Sequence, residues 1–349
     1  PLRLEKRERT IAEQIVEECM LIANETVAAY LRDSENPAVY RVHETPEPER
    51  LEMMRTVLAS FDLPVPSGDD VKPADFQKLL KQSKGTSAEL VVQTIALRSM
   101  QQARYSTNNA GHFGLASECY THFTSPIRRY PDLMVHRLIR QNKKRGKLTQ
   151  EEAQQSLAYH TIAADQASSR ERIAVEAERE TDDLKKAQYM VPFIGQPYEA
   201  HITGITSFGL FVGLENGIEG LVHISLLTDD NYEFDEGTYT MRGQHGGRVY
   251  HLGDMMEVTL AKVNVEKCEI DFVPGKVESL EDLRQLMAAG AERRHRKNGS
   301  RSGKQEVTKR NWFADAADSQ KGKKKKKDKK GKKKGKKDKK RKGKKSRKK

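Results

Sequence analysis

Residues 195–225, GQPYEAHITGITSFGLFVGLENGIEGLVHIS, alternate apolar side chains with small or polar ones and are punctuated by glycines. Period-two alternation sends successive side chains to opposite faces of an extended chain, and glycines at this spacing mark turns. The stretch therefore predicts the strands of a small barrel. Residues 251–273 continue the pattern through Val258, Leu260, Val263, Val265, Ile270 and Phe272 and supply the closing strands. The pattern changes at Val191-Pro192, and upstream of it the apolar spacing is helical. The fold class that follows is α+β: a mainly helical part over residues 1–190, then an all-β barrel over residues 191–274.

Upstream, residues 9–31 place Ile11, Ile15, Cys19, Ile22 and Val27 at helical spacing with Glu13, Glu17 and Glu25 between them, the signature of an amphipathic helix. Residues 36–48 carry three prolines and read as extended connection. Short helices follow at 48–60 and 73–81, each with a proline suited to its first turn. Another runs over 87–102, with Leu90, Thr94, Leu97 and Gln101 on one side and Val91 and Ile95 widening the apolar face. Thr149 and Glu152 have capping-box spacing and open a long helix that reaches Met190. Within it SSRERIAVEAERETDDL, residues 168–184, sets acids and bases three and four apart, as in solvated ion pairs on a helix.

Residues 111–136, GHFGLASECYTHFTSPIRRYPDLMVH, are denser in polar groups than plain scaffold and read as a binding surface. Thr124 or Ser125 can cap a helix with Pro126 in its first turn, which places Arg128 and Arg129 in the opening turn. There a guanidinium fork and the helix dipole act on one anion, a phosphate or carboxylate. Pro131 ends or kinks that turn, and Leu133, His136, Leu138 and Ile139 resume helical spacing. Two readings stand on the residues alone: anion binding, or arginines in salt bridges to neighbouring acids with His112, His122 and His136 as packing residues.

HFGLASECYTHFTSPIRRYPDLMVHR, residues 112–137, and YRVHETPEPERL, residues 40–51, closely resemble the RNB family of exoribonucleases, in its ribonuclease R branch. The resemblance implies a hydrolytic, processive 3′ to 5′ exoribonuclease that uses magnesium and releases nucleoside 5′-monophosphates, with residues 1–190 as the C-terminal part of the nuclease domain. It places Arg128 on the scissile phosphate, Glu17 at the RNA 3′ end, and Glu178 beside Arg179 along the RNA channel. Arg129 is then structural or a backbone-phosphate contact. Glu17 and Glu178 also read as solvated charges. The family's magnesium ligands are an aspartate cluster expected upstream of this chain, and the pairs Asp69-Asp70, Asp182-Asp183 and Asp229-Asp230 stand in other surroundings, so no metal ligand is assigned here.

Residues 191–274 resemble the OB-fold RNA-binding domain named after ribosomal protein S-one, whose sheet exposes rings on which bases stack. Phe208, Phe211 and His223 match that surface, although alternate strand residues point inward, which leaves the barrel interior as the other reading for one or two of them. Asn264, Glu266 and Lys267 occupy the place where the last strands of such domains commonly carry Asp and Arg.

The net charge of +13 is concentrated in residues 321–349, which carry 22 Lys or Arg against two Asp, leaving residues 1–320 mildly acidic. This tail has no apolar residue and is expected to be disordered and to bind RNA, or ribosomes, through counterion release. Residues 275–320 read as a linker with one short helix near 280–291. Cys19, Cys119 and Cys268 have no paired spacing, as free thiols in a reducing cytoplasm do. No apolar run approaches the length of a bilayer span, and Pro1 reads as part of a longer polypeptide. The expected partners are single-stranded RNA 3′ ends and structured RNA, engaged by a monomer. The alternative function is a non-catalytic RNA- or ribosome-binding fragment; a purely structural ribosome-associated role fits the full central motif poorly.

Overall fold

The alternation in residues 195–225 is realised as three consecutive antiparallel strands, β3 (Pro197–Thr206), β4 (Gly209–Leu214) and β5 (Glu219–His223). They follow two short paired strands, β1 (Tyr40–Val42) and β2 (Arg104–Ser106). The computed structural model describes residues 9–59, 71–86, 88–235 and 238–298, with positions 4, 61 and 63. The expectations for Asp69-Asp70 and for the basic tail lie outside the described residues.

The barrel closes in the order β10-β5-β4-β3-β9, with β9 (Met255–Asn264) and β10 (Glu269–Pro274) as the closing strands. The β10–β5 pair is parallel and the others are antiparallel. Alternate residues fill the interior: Ile202, Leu210, Val212, Val222, Val258, Leu260 and Phe272 are all fully buried. Gly220 is required by this packing, because a Cβ there would lie 2.4 Å from the Phe272 ring and 2.6 Å from the Ile270 carbonyl oxygen. Between β5 and β9 the chain forms a small sheet, β6 (Tyr232–Asp235), β7 (Thr240–Gly243) and β8 (Val249–Tyr250), that the sequence reading did not foresee. These strands are short and poor in alternation, and they are held by side chains: Tyr232 donates to Asp229 at 2.7 Å, and Asp230 accepts from the amides of His245 and Gly247 at 2.9 and 3.0 Å.

The helical part contains α1 (Ile11–Asp33), α2 (Pro48–Ala59), α3 (Pro73–Ser83), α4 (Glu89–Ser99), α5 (Tyr130–Arg145) and α6 (Gln150–Met190). Two expected faces differ. In α4 the buried side chains are Val91, Val92, Ile95, Ala96 and Ser99 while Leu97 is exposed, because α2 and α3 pack on that side. In α1 only Asn24, Ala28 and Leu31 are buried, whereas Ile11, Ile15 and Ile22 are exposed, since only its last turns meet other described residues. The buried cluster of α2–α4 is continuous with the barrel interior. Arg98 of α4 reinforces the junction by bonding the Tyr239 hydroxyl and lying over its ring at 4.9 Å.

The 41-residue α6 has the expected capping box at Thr149 and Glu152 and is about 60 Å long at 1.5 Å per residue. Its N-terminal half packs through His160 and Ala164, its end through Ala187 and Met190, and residues 172–183 between them are exposed throughout. After the barrel, the expected short helix is a 19-residue one, α7 (Leu280–Asn298), packed on the barrel by Leu283 against Leu226 and Val273. Leu283 and Met287, one turn apart, supply its apolar face. None of the described helices is long and apolar enough to cross a membrane.

Beneath residues 111–129 lies a group of rings. His43 and His112 form a β-bridge and stack at 5.2 Å between centroids, and His122 Nδ1 lies 2.8 Å from the Tyr105 hydroxyl. Burial, followed by the nearby arginines and histidines, pushes His122 down to about 3; burial, followed by His43, pushes His112 down to about 4.

Two consequences are measurable. Gly220→Ala overpacks the barrel and should cost about 1–3 kcal/mol, read as a lowered urea midpoint; an unchanged midpoint would show that the Phe272 contact yields freely. An unfolded histidine takes up its proton near pH 6.5 whereas His112 and His122 do so only near 4 and 3. Stability should therefore fall as pH drops from about 6.5 towards 4, with no contribution from these groups above about 7. The fall should be shallower in His122→Gln, and identical pH profiles would refute the assignment.

Candidate nucleic-acid interface

The loop that carries the arginines is fixed on both sides before it reaches them. Thr121 donates to the Val39 carbonyl at 2.7 Å, the Phe123 amide donates to Asn24 Oδ1 at 3.0 Å, and the Phe123 ring stacks on His136 at 4.1 Å. His136 Nε2 in turn holds the Phe123 carbonyl at 3.0 Å. The chain then makes a turn over residues 126–128 and enters α5 at Tyr130, with Arg129 as its extended N-cap residue.

This corrects the expected helix start. Pro131, which was expected to end a turn opened by Pro126, occupies the first turn of α5, where a missing amide proton costs nothing. Arg128 and Arg129 thus precede the helix. The cause is Asp132, whose Oδ2 accepts from the Ser125 amide at 2.7 Å and from Arg129 Nη2 and Nε at 2.8 and 3.2 Å. Asp132 has no exposure and Arg129 is 21 % exposed, so the pair is largely removed from water.

Arg128 is different. It is exposed and makes no hydrogen bond or ion pair among the described residues, next to the fully exposed Ile127. Adjacent residues of one type are thereby divided: Arg129 is committed to the scaffold and Arg128 is available to an anion. A guanidinium in that state offers a planar fork matched to phosphate.

The other expected positions stand on other elements. Glu17 sits on α1 in an ion pair with Arg9, beside a shallow groove lined by Ala12, Val16 and Met20. Glu178 and Arg179 lie on the bare middle of α6. None of the hydrogen bonds or ion pairs among the described residues joins Arg128 to Glu17 or Glu178. Behind the loop, Arg41 pairs with Glu171 at 2.5 Å and lies 4.7 Å over the Tyr105 ring, linking β1 to α6. Asp132 was missed at the sequence level, although its spacing of three from Arg129 is a recognised ion-pair signal on a helix.

On the barrel, Phe208, Phe211 and His223 are all half-buried rather than interior. Phe208 and Phe211 meet edge to face with centroids 5.8 Å apart. In the ladder Gly209 pairs with His223 and Phe211 with Leu221, which keeps Phe211 and His223 on the outer face while Leu210 and Val222 point inward. Exposed rings grouped in this way form a platform for flat π-systems.

A metal site is not assembled from these elements. No group of three or more His, Cys, Asp or Glu side chains able to hold an ion occurs among the described residues. The carboxylates of Asp229 and Asp230 are engaged in the small sheet. The residues described here do not fit a magnesium site.

Residues 1–186 match the family model described as RNB domain, and residues 191–273 match the S1 RNA binding domain. Among curated proteins, Ribonuclease R 1 of Lactococcus lactis is 44% identical over 273 residues, covering 78% of this chain and 33% of that protein. Ribonuclease R of Aquifex aeolicus is 42% identical over 273 residues, covering 78% and 38% respectively. The structure of Mycoplasma genitalium RNase R in complex with ribose methylated single-stranded RNA superposes with a TM-score of 0.70 at 30% identity, covering 77% of this chain and 42% of that one. The chain thus spans about a third of the length of the curated relatives it matches. With the matched domain covering more than half of its residues, and with the TSPIRR loop and the stacking platform built as described, the chain belongs to the RNB family, as a helical RNB portion followed by an S1-type barrel.

Proposed function

We propose that this chain is the RNA-gripping part of a 3′ to 5′ exoribonuclease that hydrolyses RNA processively to nucleoside 5′-monophosphates. The observation that carries the reading is the division of labour in the TSPIRR loop, where Asp132 ties down Arg129 while Arg128 is exposed and unpaired among the described residues. Arg128 holds the phosphate at the scissile position. Charge that develops there in the transition state meets a cation fixed beforehand, so little reorganisation is needed.

Phe208, Phe211 and His223 stack bases of the incoming strand without reading their edges, which suits a substrate of any sequence. Glu17 contacts the 3′-terminal nucleotide, and Glu178 lines the path of the strand. Single-stranded 3′ ends and structured RNA are the substrates, and the basic tail adds contacts to RNA or ribosomes. Magnesium is the cofactor, and an aspartate cluster upstream of this chain would hold it. The chain acts as a monomer in the cytoplasm.

The absence of a carboxylate cluster among the described residues favours a second reading for the polypeptide as it stands: an RNA-binding fragment without hydrolytic activity. A 3′-labelled single-stranded RNA offered with magnesium separates the two. The polypeptide extended upstream through its aspartate cluster should release mononucleotides, and the present chain should bind without cleaving. Digestion by the present chain after removal of contaminating nuclease would overturn this division.

The two arginines predict opposite phenotypes. Arg128→Ala in the extended protein should lower kcat by about 100-fold or more, as loss of one preorganised donor does, with the melting temperature unchanged. Arg129→Ala strands the Asp132 carboxylate and should destabilise by roughly 3 kcal/mol, the lower end for a broken buried pair. Full turnover in Arg128→Ala would exclude its role at the phosphate.

A further inference from the structure

Helix α7 is seated closely on the barrel. Leu283 is buried against Leu226 and Val273, and Met287 packs on the same cluster one turn later. At Gly290 the helix approaches the turn after β5 so nearly that a Cβ would lie 2.6 Å from Leu226 Cδ2 and 3.4 Å from Ser225 Oγ. One turn further, Arg294 donates its Nε–H to His223 Nε2 at 3.1 Å. The opposite ring nitrogen, Nδ1, lies 2.8 Å from Ser225 Oγ. Nδ1 also accepts from the Ser225 amide at 3.1 Å, so both ring nitrogens are held, Nδ1 by the turn after β5 and Nε2 by the arginine.

His223 therefore has its ring plane set by α7, and the guanidinium stands at the edge of the ring platform. The Nη groups of Arg294 make no hydrogen bond among the described residues, so four N–H donors remain on an exposed guanidinium in contact with His223. The strands offer little competing cationic charge on this face: across the ladder from Phe211 lie Leu221, then the acid Asp271, then Lys262 on the far strand. A strand of RNA laid with its bases on the rings carries its phosphates along their flank, and Arg294 is a guanidinium already placed at that flank.

We propose that Arg294 is a phosphate-binding residue of the barrel surface, so that α7 forms one wall of the RNA site. The inference rests on the reading of the ring platform as an RNA surface. The ligand is the sugar-phosphate backbone of single-stranded RNA, bound without base preference.

The test uses the full chain and a fluorescein-labelled oligoadenylate, with anisotropy titrations at several salt concentrations. Arg294→Ala should weaken binding about 5-fold near 100 mM salt and lower the slope of log Kd against log salt by about 0.7, the value for one phosphate contact on a single strand. Arg294→Lys should restore the slope with part of the affinity. Arg293→Ala, which removes the neighbouring charge from the same exposed turn, should change affinity less than about 2-fold. Phe211→Leu, which keeps bulk and removes the ring, reports on the platform itself.

If Phe211→Leu weakens binding while Arg294→Ala matches the parent in affinity and slope, the assignment of Arg294 fails and the platform stands. If neither weakens binding, the platform reading fails and takes the inference with it. Equal losses in Arg293→Ala and Arg294→Ala would reduce the effect to general helix charge and also overturn it.

Discussion

Asp132 lies in the first turn of α5 with no exposure to solvent, and a carboxylate in that position must be paired and hydrogen-bonded or give up its charge. Its Oδ2 is paired with the Ser125 amide and with Arg129, while Oδ1 is buried with no hydrogen-bond partner among the described residues, and the Oδ2 bonds close the loop between them. With these bonds in place α5 starts at Tyr130 rather than four residues earlier, and Arg129 meets Asp132 from an extended N-cap conformation. The loop geometry, the helix boundary and the freedom of Arg128 are one consequence of a buried charge seeking partners.

The loop is held against a scaffold whose polar groups are equally committed. Asn24 of α1 donates to the Tyr120 hydroxyl at 2.9 Å and accepts from the Phe123 amide, so the packed end of α1 is tied to the approach to TSPIRR. Arg41, Glu171, Tyr105 and His122 link β1, α6 and β2 below it. A network of this kind fixes side-chain positions more narrowly than apolar packing alone, because each hydrogen bond has a preferred direction. By contrast, the first turns of α1 and the middle of α6 expose Ile11, Ile15, Ile22 and Ile173, and these surfaces lie outside the packed parts of the molecule.

The barrel follows a simpler rule. Its interior is fixed by alternation, and its outer face is left to chemistry: Phe208, Phe211 and His223 are half-exposed because the inward positions are already filled by Leu210, Val212 and Val222. The surroundings of that face, however, are set by elements outside the five strands. The small β6–β8 sheet fills the connection between β5 and β9, and α7 returns across the turn after β5 to bring Arg294 to His223.

Much of this was legible in the chain itself. Period-two alternation located β3, β4, β5, β9 and β10, because a strand in a closed barrel has one face in the core and one in solvent. The Thr149–Glu152 capping box located the start of α6, since capping is a local hydrogen-bond exchange. The long TSPIRR motif located the family and the candidate residue Arg128, and the resemblance of the barrel stretch to S1 domains located Phe208, Phe211 and His223. Tertiary structure alone decided which of two identical neighbours is paired, because that depends on a carboxylate buried by packing from several elements. It also decided which face of α4 is buried, that α7 docks on the barrel through Leu283, and that Arg294 meets a histidine 71 residues earlier in the chain. Sequence spacing records local periodicity and caps. Burial and long-range pairing are properties of what packs against what, and in this protein they separate an arginine paired with a buried carboxylate from an exposed one.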